Sequence, residues 1–275
     1  MATFLIGLFL MSSLYLLVIC PIKQGLKTQI HKKERGFSTE TMFFEEIGIS
    51  ESEIKSVHKC SGNFSNQIVI VKFHNGISAI FKPSEGECAH LRKNIKGGTY
   101  YRRERAAYLV DKFLGLNIVP PTTIRDIEGK TGSLQLFIEE AKEGINLRFE
   151  QQETEIFKDQ LLIMWVLDLL ISNSDRHVCN WLFLGNRIFA IDNGLSFTEE
   201  RNLLNSSEQY DEELPESLIE KLEKRINDKI GKNILKELLK KLLSEEEISA
   251  FFYRLDYIGK LAMDYKRIPF WAREN

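Results

Sequence analysis

Two polar stretches at the end of an apolar run constrain this chain more than any other feature. The run, Phe157 to Ile171, carries Leu161, Leu162, Trp165, Val166, Leu169 and Leu170 at helical spacing. It delivers the chain into Asn173-Ser174-Asp175-Arg176-His177-Val178-Cys179-Asn180, and a β-type run then ends in Ile191-Asp192-Asn193-Gly194. An Asp, an Asn five positions on, and a lone Asp closing a strand form the arrangement that phosphoryl transfer uses. One carboxylate sits beside the attacking hydroxyl, while the amide oxygen and second carboxylate hold the magnesium that bridges the nucleotide phosphates. The chemistry asks mainly for placed charge, so order and spacing carry the signal. Asp175 or Asp192 alone reads as an ordinary loop acid; the pair in this order does not. Asp168, inside the helix, reads as a structural carboxylate.

Composition permits this chemistry and narrows the partners. A chain of 275 residues, 43% hydrophobic, buries a substantial core as one two-lobed domain or two small ones. The net charge of -2 shows no basic surface for nucleic acid. Cys20, Cys60, Cys88 and Cys179 lack the C-x-x-C spacing of a zinc site and outline no disulfide framework, so a reducing compartment is the simpler expectation.

The N-terminus is a separate object. No charged side chain occurs from Met1 to Ile22, and Phe4 to Ile19 is nearly all apolar, followed by Lys23, Lys27, Lys32, Lys33 and Arg35. This is the pattern of one membrane-spanning helix whose basic flank stays cytoplasmic. A cleaved signal or a mis-assigned start are the alternatives, although a basic start and small residues at a cleavage site are lacking.

The body is expected to begin near Phe43. Ser61 to Asn66 is a turn-rich stretch before the strand Gln67 to Phe73, His74-Asn75-Gly76 closes a hairpin, and Ile77 to Pro83 returns with Lys82 near its end. A loop leading into such a hairpin, with a lysine on its second strand, is one way to cover and grip phosphates. Taken alone, Lys82 reads as a solvated edge lysine. Tyr100 to Leu114 is helical, with Ala106, Ala107, Val110, Phe113 and Leu114 on one face and Gly115 ending it. Glu104 could reach back to Lys82; the plainer reading is a first-turn acid complementing the helix dipole. Val119 to Thr122 starts an extended segment, Gly129 to Gly132 turns, and Ser133 to Glu139 returns as a strand.

These segments together resemble the type II phosphatidylinositol 4-kinases and their plant relatives. Gly132 to Glu139 looks like that family's hinge strand, and Val166 to His177 is similar to its approach to the catalytic loop. Ala190 to Phe197 resembles its metal-binding segment, while Ala79-Ile80-Phe81-Lys82-Pro83 and Arg103-Glu104-Arg105-Ala106-Ala107 fit its lysine strand and glutamate helix. The resemblance implies an α+β bilobal fold of the phosphatidylinositol 3- and 4-kinase superfamily, with nucleotide between a β-rich small lobe and a mainly helical large lobe. It implies that Lys82 contacts phosphates, that Glu104 orients it, and that the backbone near Phe137, Ile138 and Glu139 meets adenine. Asp175 would act at the attacking hydroxyl, with Arg176 and His177 supporting its loop; Asn180 and Asp192 would bind Mg2+ or Mn2+. Ser61 and Gly62 would belong to the phosphate loop. The expected organisation is an anchor and linker over 1–35, a small lobe and hinge over 43–140, and a large lobe over 141–275.

The chain departs from that family in two places. It lacks the cysteine-rich palmitoylation patch of the animal enzymes, which the N-terminal segment could replace. The stretch after Phe197, where the substrate-facing loop should lie, carries Glu199, Glu200, Glu208, Asp211, Glu212 and Glu213 and would repel a headgroup bearing several phosphates. Singly phosphorylated phosphatidylinositol is not excluded, and the superfamily also contains HipA-like and actin-fragmin protein kinases. From Pro215 onward the chain is helical and charged: Leu218, Leu222, Ile226, Leu235, Leu238, Leu239 and Leu242 mark apolar stripes, and Ser244 with Glu247 makes a capping box. These are expected to be outer helices of the large lobe. The expected activity is ATP- and metal-dependent transfer to a protein Ser/Thr hydroxyl, with phosphatidylinositol as the alternative acceptor. A non-catalytic nucleotide-binding scaffold and an adenylyl transferase are the rivals.

Overall fold

The computed structural model describes residues 39–59, 67–88, 91–147, 154–203 and 209–274. The expected membrane segment with its basic flank, and the expected phosphate loop Ser61 to Asn66 with Ser61 and Gly62, lie outside these residues.

Alternating apolar residues build a five-stranded antiparallel sheet. Its strands are β1 (Ile54–Lys59), β2 (Val69–Phe73), β3 (Ser78–Pro83), β4 (Thr122–Ile127) and β5 (Lys130–Leu136), arranged β1-β2-β3-β5-β4. Val69, Val71 and Phe73 alternate on β2, Ala79 and Phe81 on β3, and all are buried. The expected Asn-Gly hairpin forms, with Gly76 at φ 87° and the Phe73 N–H donating to Ile77 O at 2.9 Å. In the β3–β5 register Lys82 faces Ser133 and Pro83 faces Gly132. Gly132 admits no side chain, since a Cβ there would lie 2.3 Å from the Lys82 carbonyl oxygen.

One turn is tighter than its sequence suggests. Instead of Gly129 to Gly132, the β4–β5 link is Glu128 and Gly129 at φ 52° and 78°, and β5 already starts at Lys130. Two positive φ angles match the strand twist and leave Gly132 free for close approach inside the sheet. Two elements had no sequence signal: helix α1 (Thr39–Glu51) and β1. The segment of α1 lacks a clear apolar stripe, and β1 is an edge strand whose mixed residues face water on one side.

Helix α2 (Tyr100–Leu114) has the expected bounds, and Gly115 ends it in the left-handed region with its N–H on Asp111 O. Its opening N–H groups are satisfied from a distance: the Glu87 carboxylate accepts from Tyr100 N at 2.9 Å and Tyr101 N at 2.8 Å. Glu46 ties α1 to α2 through Arg105 at 2.9 Å, the Tyr108 hydroxyl at 2.8 Å and Lys112 at 2.5 Å.

The remainder is mainly helical. Helix α3 (Glu155–Ile171) is buried all round towards its end, where Val166, Leu167, Leu169, Leu170 and Ile171 surround the single acid Asp168. A small sheet, β6 (Lys142–Glu143), β7 (Trp181–Leu184) and β8 (Arg187–Ala190), carries the polar loops on either side of its hairpin. Helices α4 (Glu216–Asn227), α5 (Lys229–Leu239) and α6 (Glu245–Tyr265) follow. The capping box is present: Ser244 Oγ accepts from Glu247 N at 3.1 Å, and Glu247 Oε2 accepts from Ser244 N at 2.8 Å. Leu218, Leu222, Leu235 and Leu239 are buried as expected, whereas Leu238 is 40% exposed because α5 turns Leu235 and Leu239 to the core instead.

Candidate active site

Three distant parts of the chain meet at Lys82. Its ammonium lies 2.6 Å from Glu104 Oε1 on α2 and 2.9 Å from Asp192 Oδ1 just after β8. Glu104 is almost wholly buried, and its second oxygen accepts the Asn193 N–H at 3.0 Å, so one carboxylate fixes both the lysine and the loop carrying Asp192. Burial alone would lower the Lys82 pKa, but Asp192 and Glu104 outweigh it and hold the ammonium above the usual lysine range. The Lys82 charge in turn holds the Asp192 carboxyl below its ordinary value. Asp192 itself stands at φ 57°, a left-handed conformation that a non-glycine residue adopts only where its surroundings impose it.

The second polar stretch is braced from below. Arg176 donates to both oxygens of Asp168 at 2.9 Å, to Asn193 Oδ1 and Ile191 O at 2.6 Å, and to Asn180 O. All of its donors are thus spent on Asp168 of α3 and on the two loops. Asp168 is the buried structural carboxylate its position suggested; burial raises its pKa against the pull of Arg176. Asn180, also buried, donates through Nδ2 to Asp175 O at 2.8 Å and Oδ2 at 3.4 Å, turning its acceptor end away from those bonds. His177 is exposed, and its Nδ1 accepts the Cys179 N–H at 3.2 Å. That bond shapes the loop.

The cleft at these groups is lined by Lys82, Glu104, Asp175, His177 and Asp192, together with Glu87, Leu91, Tyr100, Tyr101, Gly194 and Leu195. The expected hinge lies outside that lining. Phe137 is 41% exposed and its N–H already donates to Ser78 O at 3.0 Å, so its amide is not available to a base; Ile138 is buried and Glu139 exposed. Sequence reasoning missed Glu87, Asn193 and Arg92, the last of which bonds Ser172 O at 2.7 Å and Leu195 O at 2.6 Å. Only Asn193, beside Asp192, lay in a stretch already marked. Among the described residues no cluster of three or more His, Cys, Asp or Glu forms a metal cage. One carboxylate and one amide oxygen, Asp192 and Asn180, are the sparse donor set that suits magnesium shared with phosphates.

Comparison with known proteins bears on the fold and the family. The Golgi casein kinase with Mn/ADP bound superposes at TM-score 0.55 and 17% identity, covering 81% of this chain and 75% of that one. Hydra Fam20 with sugar gives TM-score 0.52 at 15% identity over 84% and 92% of the two chains. The Helicobacter pylori proinflammatory kinase CtkA gives TM-score 0.50 at 17% identity over 74% and 91%. These likenesses show a shared kinase-like fold of mixed sheets and helices. In sequence, Protein Rv2133c of Mycobacterium tuberculosis is 27% identical over 159 residues, 46% of this chain and 56% of that protein. The chain thus spans little more than half the length of that curated relative. Residues 98–245, more than half of the chain, match the family described as Phosphatidylinositol 3- and 4-kinase. The chain therefore belongs to the phosphatidylinositol 3- and 4-kinase family.

Proposed function

We propose that the protein transfers the γ-phosphate of ATP to a hydroxyl group, with protein Ser/Thr as the first acceptor class. The observation that carries this reading is the Lys82 ammonium between Glu104 and Asp192, groups 22 and 110 positions away in sequence. Lys82 binds nucleotide phosphate, and Glu104 keeps it aimed. Asp175 accepts the proton of the attacking hydroxyl from a loop that Arg176 and Asp168 hold in place. Asp192 and the Asn180 amide oxygen hold Mg2+ or Mn2+, which when bound offsets negative charge on the phosphates. His177 borders the acceptor side, and Ile138 and Glu139 offer backbone to adenine.

The exposed acids Glu199, Glu200, Asp211, Glu212 and Glu213 beyond the metal-binding segment favour a protein acceptor over a polyanionic headgroup. The family match favours the second reading, a phosphatidylinositol kinase. Full-length protein incubated with γ-labelled ATP and either protein or phosphatidylinositol vesicles separates the two by where label appears. Label in neither points to a scaffold, and transfer from α-labelled ATP to adenylylation. Asp192→Ala should abolish magnesium-dependent nucleotide binding; unchanged binding by calorimetry would overturn its assignment.

We also propose that Phe4 to Ile19 anchors the protein in a membrane with the kinase body on the cytosolic side. The support is the uncharged stretch and the basic flank after it. Full-length protein should then resist alkaline carbonate extraction and be digested by protease added to the cytoplasmic face. A mature protein starting after Cys20 would instead mean a secreted or lumenal kinase.

A further inference from the structure

Two consecutive residues of α2 grip the segment that carries Asp192, and only one of them is explained by the phosphate site. Glu104 takes the Asn193 N–H. Arg103, 4% exposed, donates through one terminal nitrogen to Ser196 O at 3.0 Å and Phe197 O at 2.8 Å. Its other terminal nitrogen lies 2.5 Å from Glu247 Oε1, 144 positions away at the start of α6. The same Glu247 side chain closes the capping box through its second oxygen, so its position is fixed independently of Arg103. Phe197, at φ 59°, packs on Phe251 of α6 with ring centroids 6.1 Å apart. The segment from Asp192 to Phe197 is therefore pinned at both ends, and the second pin runs through a buried ion pair outside the nucleotide site.

We propose that Arg103 and Glu247 are positioning residues that hold the metal-binding segment and α2 in working register without any prior phosphorylation. In kinases that are switched on by phosphorylation, new arginine–phosphate pairs order the activation loop, and α2-like helix placement and the metal-binding Asp are what such ordering controls. Here a carboxylate fixed by a helix cap meets the arginine instead, and it is present from the moment the chain folds. The inference rests on the kinase reading above. It deepens that reading by stating how the site is kept assembled.

Breaking one half of a buried pair strands a charge and can unfold a protein, whereas replacing both halves with apolar groups is often tolerated. The informative variant is therefore Arg103→Met with Glu247→Leu, made in the full-length chain beside Glu247→Gln alone. The double variant should melt within a few degrees of wild type, about the range expected for a neutral pair replacement. Its turnover should fall about tenfold or more, the scale of a misplaced site, and its half-saturating Mg2+ should rise. A purely structural pair would leave the Mg2+ dependence unmoved. Phosphatase-treated wild type should keep full turnover. A folded double variant with wild-type turnover and Mg2+ dependence overturns the clamp alone, as does loss of wild-type turnover on phosphatase treatment. Wild type that shows no Mg2+-dependent ADP binding by calorimetry overturns the kinase reading and the clamp with it.

Discussion

Asp111 offers a quantitative test of how the end of α2 is held in the core. It is 1% exposed; one oxygen accepts the Ile118 N–H at 3.0 Å, and Ile118 O accepts from Ala190 N at 2.8 Å, two residues before Asp192. Burial pushes its carboxyl up to about 7 from 3.8, against the Ile118 and Val119 amides and the charge of Arg187. About three pKa units at roughly 1.4 kcal/mol each amount to about 4 kcal/mol. Because the folded pKa is raised, the folded protein keeps a proton that the unfolded chain releases between the two values. This group's contribution therefore declines as pH rises through that window and levels off above it. Asp111→Asn keeps an acceptor for Ile118 but cannot ionise. Urea denaturation of both proteins between about pH 4 and pH 7.5 should show the stability difference moving toward the variant by about 1.4 kcal/mol per pH unit, about 4 kcal/mol in all. A difference that stays flat across the range would refute the argument that Asp111 is buried as an acid.

Asp175→Ala should leave ADP affinity within about twofold while turnover falls by about a hundredfold or more, the usual scale for a positioned acid–base group; near wild-type phosphorylation would remove Asp175 from its role. Gly132→Ala should force β3 and β5 apart at Lys82 and cost about 1–3 kcal/mol, read from denaturant midpoints, with weaker ATP binding; an unchanged midpoint and ATP affinity would show that the strands yield freely. Asp168→Ala should strand the Arg176 charge and cost about 3–5 kcal/mol, and a variant as stable as wild type would mean that Arg176 finds another counter-charge.

Local signals made much of the framework legible. Helix α2 was bounded by Gly115, the hairpin by Asn75 and Gly76, and the start of α6 by Ser244 and Glu247. In each case a few neighbouring residues decide the backbone conformation. The candidate site was legible in part because Asp175, Asn180 and Asp192 sit on two short stretches whose spacing the chemistry itself dictates. That the Phe137 amide donates to Ser78 could not be read in advance, since the pairing is fixed by β3–β5 register and not by any feature of the hinge strand. The loop position of Arg176 was legible, but only the approach of Asp168, Asn193 and Ile191 shows where its donors go.

The sequence by itself marked Asp175, Asn180 and Asp192 as the candidates for phosphate chemistry and fixed their order, because spacing along one loop survives any fold. Only tertiary structure decided that Glu104 serves Lys82 and Asn193 together, that Glu87 caps α2 from another segment, and that Arg103 finds Glu247 across 144 residues. Such contacts form between side chains with no local signature. What selects them is the cost of leaving a charge or a helix N–H unpaired once the surrounding core has excluded water.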